Sequence, residues 1–319
     1  MNKKIICCGD INGDLIIPYG EMINTLEKYN NGECAKHPHV VLQPGGSIAN
    51  TSLALAKLGE SPYLIGKIGQ DNCGKELLNK LRQNGVITSQ ILTNAGDTFV
   101  VLVVLNEVGE RIMFPWFPSG KRTCDMLKGE SDAFNIEDCE WFHTGGLAMP
   151  DEGVHERELL RFMSRCKKRG MTISFDLNLR PETYGLSKGR KELISTALNM
   201  SDYILGSGMD ELGTITGAST LQNAAEQLAY DTGATVIARD GDKPVIVCNS
   251  NKITKVDTFN VHQLHKVGAG DSFDAGFIAA IRTGKRIETA VRWGNMCASY
   301  TISHLEPMTV PSINELAQL

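Results

Sequence analysis

The stretch Gly268-Ala269-Gly270-Asp271-Ser272-Phe273-Asp274-Ala275-Gly276-Phe277-Ile278-Ala279-Ala280-Ile281 places small residues and a carboxylate directly before an apolar run. Its spacing predicts a helix over Ser272–Thr283, closed by Gly284. Glycines ahead of a helix let the main chain approach a ligand without Cβ interference. The unpaired N–H groups of the first turn and the helix dipole favour a negative oxygen there. Asp271, sited in that turn, is kept ionised by the dipole and can take the proton of an alcohol attacking a phosphoryl group held on those amides. Simple helix capping by Asp271 explains the tetrapeptide equally well, so the remainder of the chain has to decide.

Working outward, short apolar runs bounded by Gly or Asp recur at Ile5–Cys8, Tyr63–Ile65, Trp141–His143, Thr172–Phe175, Tyr203–Leu205, Thr235–Ala238 and Val245–Cys248. Helix-like stretches at Ile48–Leu58, Gly74–Asn84, Val154–Arg169 and Leu221–Thr232 stand between many of them, each ended by Gly. Runs apolar on both faces and separated by helices predict an α/β fold with a parallel sheet covered on each side. Thr98–Leu105 and Glu110–Phe117 break the rhythm. Joined by Asn106-Glu107-Val108-Gly109, they predict a β-hairpin that pairs with Asn12–Ile17 and His39–Gln43 as a small covering sheet.

Bulk properties narrow the function. The chain has 319 residues, 42% hydrophobic and 22% charged, ordinary for a globular enzyme with a sizeable core. A net charge of -5 argues against a nucleic-acid partner. Nine cysteines without framework spacing suit reduced thiols and a cytoplasmic setting. The apolar run after Lys3-Lys4 is too short for a signal-peptide core, and no stretch approaches the roughly 20 residues of a membrane span.

Polar groups gather at several expected strand ends. In Phe175-Asp176-Leu177-Asn178-Leu179-Arg180 the alternation would turn Asp176, Asn178 and Arg180 to one face, although an Asp–Arg pair bracing a loop fits as well. Gln43-Pro44-Gly45-Gly46-Ser47-Ile48-Ala49-Asn50 opens a helix with two glycines and a Ser47 cap, a start able to hold a polyol or simply to join loop and helix. Asp10, Asn12 and Asp14 crowd the end of the first strand with acceptors suited to sugar hydroxyls, or with no more than a solvated turn. Gly69-Gln70-Asp71-Asn72-Cys73-Gly74-Lys75-Glu76 has P-loop spacing but ends in Glu76 where a hydroxyl is needed, so it is read as a loop entering a helix. Neither a G-x-S-x-G elbow nor a G-x-G-x-x-G after the first strand is present.

Taken in order, Gly45-Gly46 with Asn50, Asp176-x-Asn178-x-Arg180, Glu211 ahead of Gly217, and Gly268-Ala269-Gly270-Asp271 resemble the ribokinase/PfkB family of carbohydrate kinases over nearly the whole chain. The resemblance implies a ribokinase-like doubly wound, mostly parallel sheet with helices on both faces. It implies one kinase domain over 1–319, with a β-sheet lid formed by about 12–43 and 98–117. It also implies transfer of the γ-phosphoryl of ATP, with Mg2+, to a hydroxyl of a monosaccharide, as in fructokinases, 2-keto-3-deoxygluconate kinases or ribokinases. A nucleoside kinase of the same family and a sugar-binding regulator without catalysis are the alternatives.

By that resemblance Asp271 is the base, and the amides of Gly268, Ala269 and Gly270 form the anion hole. Asn12, Asp14, Gly45, Gly46, Asn50, Asp176, Asn178 and Arg180 fall to the substrate, and Arg239, Gly241 and Asn295 to the nucleotide. Glu211 falls to the phosphates and, through water, to the metal. Three segments depart from the pattern. Gly208 replaces the Asn of the N-x-x-E motif, leaving Glu211 to act alone or with Ser207. His265-Lys266-Val267 replaces D-T-x before the last motif, so no monovalent-cation activation is expected. Pro244 stands where the nucleotide loop has its second Gly. The hairpin leaves an apolar face that must cover the site or another subunit, from which a homodimer through the lid is expected.

Overall fold

Ile5–Cys8 is buried on both faces, the environment of a strand with helices above and below it. This strand lies in a computed structural model that describes residues 3–105, 111–116, 129–149, 154–249, 252–304, 306 and 308–319. In chain order the strands are β1 (Lys4–Cys8), β2 (Asn12–Pro18), β3 (Val41–Gly45), β4 (Pro62–Ile65), β5 (Lys67–Gly69), β6 (Leu92–Asn94), β7 (Val100–Leu105), β8 (Arg111–Trp116), β9 (Cys139–Gly145), β10 (Thr172–Asp176), β11 (Tyr203–Ser207), β12 (Thr235–Arg239), β13 (Val245–Asn249) and β14 (Lys252–Val256). The helices are α1 (Tyr19–Asn30), α2 (Ser47–Lys57), α3 (Asn72–Gln83), α4 (Val154–Lys168), α5 (Pro181–Tyr184), α6 (Lys188–Met200), α7 (Gly208–Thr216), α8 (Leu221–Thr232), α9 (Ala269–Arg282), α10 (Ile287–Ser303) and α11 (Ile313–Leu316).

Eight strands form one sheet in the order β14-β13-β12-β11-β10-β9-β1-β4, parallel from β4 to β12 and antiparallel beyond. Alternation along β1 divides the core. Ile5 and Cys7 join Leu53, Phe273, Phe277 and Trp293 from α2, α9 and α10, whereas Ile6 and Cys8 join Phe162, Ile194 and Leu228 from α4, α6 and α8. All seven expected sheet strands are present, and the edge strand β14 joins them.

A second sheet, β3-β2-β7-β8, stands apart as expected, with β2 and β7 parallel and the other pairs antiparallel. Its third segment pairs two residues later than expected, at Val41–Gly45. The hairpin turn 106–110 and Phe117 lie outside the described residues. Helix α1, the short pair β5-β6 and helices α6 and α7 were not anticipated. The near-P-loop is the loop between β5 and α3, where Asp71 caps the helix by accepting from the Gly74 amide at 2.7 Å. The eight described cysteines are free. Among the described residues no helix is long and apolar enough to cross a membrane.

The chain after β10 departs from expectation. It does not extend as a strand to Arg180, because Asn178 and Arg180 both take positive φ, at 29° and 46°. Leu177 and Leu179 are still fully buried, so the alternation of burial survives without strand geometry. Arg190, 1% exposed on α6, supports this bend. It donates to the carbonyls of Met149 (2.8 Å), Leu179 (2.7 Å) and Gly185. Replacing Arg190 by Met leaves those buried carbonyls without their charged donor and is expected to cost about 3 kcal/mol. Urea unfolding of the variant measures that loss.

Candidate functional site

Parallel strands deliver β1, β10, β11 and β12 to one edge of the sheet, so residues just past their carboxyl ends share a crevice. Helices α2 and α9 both start there. Gly46 precedes α2 at φ 97°, and a Cβ at this position would lie 2.6 Å from the Asp10 carbonyl oxygen. Lacking a side chain, Gly46 cannot cap the helix, and Asp10 does so from the β1 loop. Its carboxylate accepts from the amides of Ser47 (2.7 Å) and Ile48 (3.4 Å). Two expectations change accordingly. Ser47 is the first helical residue rather than the cap, and Asp10 is occupied by the helix rather than turned to a ligand.

The Ser47 hydroxyl instead donates to Asp271 Oδ1 at 2.7 Å, while Asn50 Nδ2 donates to Asp271 Oδ2 at 2.9 Å. Asp271 lies in the first turn of α9, after Gly268 at φ 72°. The first intrahelical bond runs from the Ser272 amide to the Gly268 carbonyl, so Ala269, Gly270 and Asp271 have no helical acceptor for their N–H groups. Asp271 remains partly exposed. Contrary to the expectation that the dipole keeps it ionised, burial pushes its carboxyl up to about 7, against the two donors, and the charges of Asp176 and Asp10 add to the rise.

The second sheet reaches the same crevice. Asn12 Nδ2 donates to Asp14 Oδ1 at 2.7 Å, and Gly45 pairs with Asn12 across β2 and β3. A methyl group on Gly45 would overlap the Asp14 carboxylate, so glycine makes room for that acid. Asn12, Asp14, Gly45, Gly46, Asn50 and Asp271 are thus brought together.

Other expected residues are placed differently. Asp176 pairs not with Arg180 but with Arg239, whose Nη2 lies 2.8 Å from Asp176 Oδ1. Arg239, expected on the nucleotide loop, is buried beneath α9, with Nη1 2.8 Å from Asp274 Oδ1 and donating to the Gly270 carbonyl at 3.2 Å. Arg180 is exposed and bonds Asn178 through Nε at 2.9 Å. Glu211 accepts from the amides of Ser207 (2.7 Å) and Leu179 (3.3 Å). Burial, then repulsion from Asp176, raises its carboxyl to about 7. Gly208 takes φ 67° at the start of α7, and Ser207 meets Glu211 through its main-chain amide. Gly241 sits at the exposed β12–β13 turn, and Asn295 donates to the Asp257 carbonyl at 3.0 Å. His265, in place of the family acid, braces the loop before Gly268. Its Nε2 donates to the His304 carbonyl at 2.8 Å and its Nδ1 accepts from the Val267 amide at 3.2 Å.

Sequence reasoning missed Asp274 and His143. Asp274 follows Asp271 by one helical turn, the only signal it offers, and His143 is fully buried at the end of β9. His143 Nε2 and Asp274 Oδ2 lie 3.9 Å apart without hydrogen-bond partners. Burial, with the Arg239 charge adding to it, lowers the imidazole to about 3, so His143 is neutral.

The family model described as pfkB family carbohydrate kinase matches residues 2–313. Fructokinase-1 of Oryza sativa subsp. japonica is 28% identical over 301 residues, covering 90% of this chain and 91% of that protein. A fructokinase from Vibrio cholerae O395, solved in a fructose, ADP and calcium ion bound form, superposes with a TM-score of 0.82 at 24% identity, covering 99% of this chain and 98% of that one. An Escherichia coli structure in complex with ATP and Mg2+ gives a TM-score of 0.82 at 20% identity, with 99% and 98% covered. These structural likenesses identify the fold as ribokinase-like.

The raised Asp271 carboxyl has a consequence for stability. It binds its proton more tightly in the folded chain than in the unfolded one, whose value is about 3.9. It therefore favours folding fully at low pH, and that contribution is lost as pH climbs from about 4 to about 7. Asp271→Asn removes the titration and keeps the shape. The variant is expected to gain on the wild type over that interval, by on the order of 2 kcal/mol after solvent screening. Urea unfolding at pH 5 and pH 8 measures it; equal differences at the two pH values would count against the raised carboxyl.

Proposed function

Because this chain belongs to the pfkB family of carbohydrate kinases, we propose that it transfers the γ-phosphoryl of ATP to a hydroxyl of a monosaccharide, with fructose the first candidate. The reading rests on one observation above others, the Asp271 carboxyl joined to Ser47 and Asn50 at the open start of α9. A base with a pKa of about 7 is matched to work near neutral pH. Asp271 would accept the hydroxyl proton, while the amides expected from Gly268, Ala269 and Gly270, with that of Asp271 at the same helix start, meet charge on the transferring group. Asn12, Asp14, Gly45, Gly46 and Asn50 border the same crevice and would hold the sugar. Asn178 and Arg180 lie past the end of β10, where they would meet its far side. Fructose is preferred because Fructokinase-1 of rice matches nine-tenths of the chain.

The donor set suits Mg2+ that arrives with the nucleotide. An ion of this kind is held mostly by phosphates and water. Glu211, with lone pairs beyond those taken by two amides, would contact it through water, and Gly241 and Asn295 flank the nucleotide side. Mg2+ supplies neutralisation of phosphate charge. We propose further that residues 1–319 act as one kinase domain in a cytoplasmic setting, with the second sheet as its lid. A homodimer would form through Ile112, Phe114 and Trp116, each about half exposed or more on alternate positions of β8.

ADP release measured against ketoses, aldopentoses, sugar acids and nucleosides identifies the acceptor. With that acceptor, Asp271→Asn is expected to lose roughly 10²–10⁴ in kcat with little change in the KM for sugar. Near-normal turnover would remove Asp271 as the base, and sugar binding without ADP release across the panel would remove the kinase reading. Phe114→Asp is expected to convert a dimer to a monomer by light scattering, and a monomeric wild type would end the dimer.

A further inference from the structure

We propose that Arg239 is a positioning residue for the anion cradle, a guanidinium clamped by two carboxylates that fixes the Gly270 carbonyl and so aims the amides of Ala269, Gly270 and Asp271. This inference rests on the reading of that cradle as the phosphoryl site. Arg239 ends β12, yet its side chain passes beneath the first turn of α9. Nη1 donates to Asp274 Oδ1 at 2.8 Å and to the Gly270 carbonyl at 3.2 Å, and Nη2 donates to Asp176 Oδ1 at 2.8 Å. Nε reaches the Gly206 carbonyl at 3.4 Å. The guanidinium thereby ties β10, β11, β12 and α9 together, and it stacks over Phe273 at 5.0 Å.

Packing supports the assignment. A Cβ built on Gly270 would lie 3.6 Å from Nη1, so the guanidinium lies directly against the main chain it orients. Its planar fork matters. A guanidinium satisfies two carboxylates and a carbonyl at fixed angles, whereas a lysine ammonium presents one point of charge on a flexible stem. The charge also lies on the same side as the positive end of the α9 dipole, so a transferring phosphoryl would meet both. A ligand contact for Arg239 is disfavoured by its burial, 9% exposed, and by the carboxylates and carbonyls that already take its donors. Among the described residues, Asp10 from the β1 loop, Asp176 from β10, Asp274 from α9 and Arg239 from β12 act on Asp271, and Arg180 acts on Asp10 and Asp176 beside it.

Arg239→Lys keeps the charge and loses the fork. In the full-length enzyme, assayed well below its thermal transition, kcat is expected to fall about 10- to 100-fold while the sugar KM stays within about threefold. Hydrogen exchange at the Ser272 amide, the first bond of α9, is expected to accelerate. Asp274→Ala, which removes one jaw of the clamp, is expected to give the same split. Wild-type kcat in either folded variant overturns the proposal. So does a loss of activity in both that merely tracks the loss of folded protein, since a scaffold role predicts that result. Asp271→Asn is run alongside. An active Asp271→Asn defeats the kinase chemistry assigned to the site, whereas an inactive Asp271→Asn beside a fully active Arg239→Lys defeats only the role of Arg239.

Discussion

Two helix starts face one crevice, and the protein treats them unequally. The amides opening α2 are satisfied from within, because Asp10 reaches over from β1 and accepts from Ser47 and Ile48. The amides opening α9 have no helical acceptor, and the residue beside them is a carboxylic acid bonded to Ser47 and Asn50 of α2. One N-terminus is therefore a structural joint, and the other keeps its amides open, as the proposed anion cradle requires. The joint comes first in the causal order. By fixing the start of α2, Asp10 fixes Ser47 and Asn50, and these fix the rotamer of Asp271.

Such an arrangement concentrates negative charge. Asp10, Asp176, Asp271, Asp274 and Glu211 crowd the strand ends, and Arg239 is the buried cation set among them. Burial pushes each of these carboxyls upward. A core that spent its ion pairs on stability alone would do as well with apolar residues of the same volume. Retention of so many acids around one guanidinium is understandable where the crevice must receive cations or surrender protons, and a metal-bound nucleotide with an alcohol requires both.

Legibility in the sequence followed burial. Strands such as Ile5–Cys8 and Thr235–Ala238 and helices such as Leu221–Thr232 were readable because their apolar residues face a core and a Gly or Asp marks their ends. Helix α1 was not, because Met22, Leu26 and Tyr29 lie at helical spacing yet remain exposed, so their pattern does not report packing inside this chain. In the site, the motifs around Gly45-Gly46, Asn50 and Gly268–Asp271 were readable because glycine and a carboxylate at a helix start carry a local meaning. Pairings between distant elements were not readable. Nothing near Asp176 in the chain says that its partner is Arg239 rather than Arg180, since the choice is made by the positive φ of Asn178 and Arg180, which turns Arg180 out to solvent. Asp274 was hidden for the same reason, its partner Arg239 being supplied by β12.

The second sheet carries two surfaces that do not compete. Residues directly opposite one another across a ladder point to the same face, and Asp14 stands opposite Val101, which stands opposite Pro115. Ile112, Phe114 and Trp116 alternate with Pro115 and so lie on the reverse face. Another protomer would cover that apolar face while Asp14 stays on the face turned to the crevice. Because both surfaces belong to one hydrogen-bonded sheet, rigidity imposed on the outer face would restrict the angle at which Asp14 and Gly45 approach Asp271. Assembly and sugar binding would then be linked through the backbone of β2, with no side chain needing to pass between them.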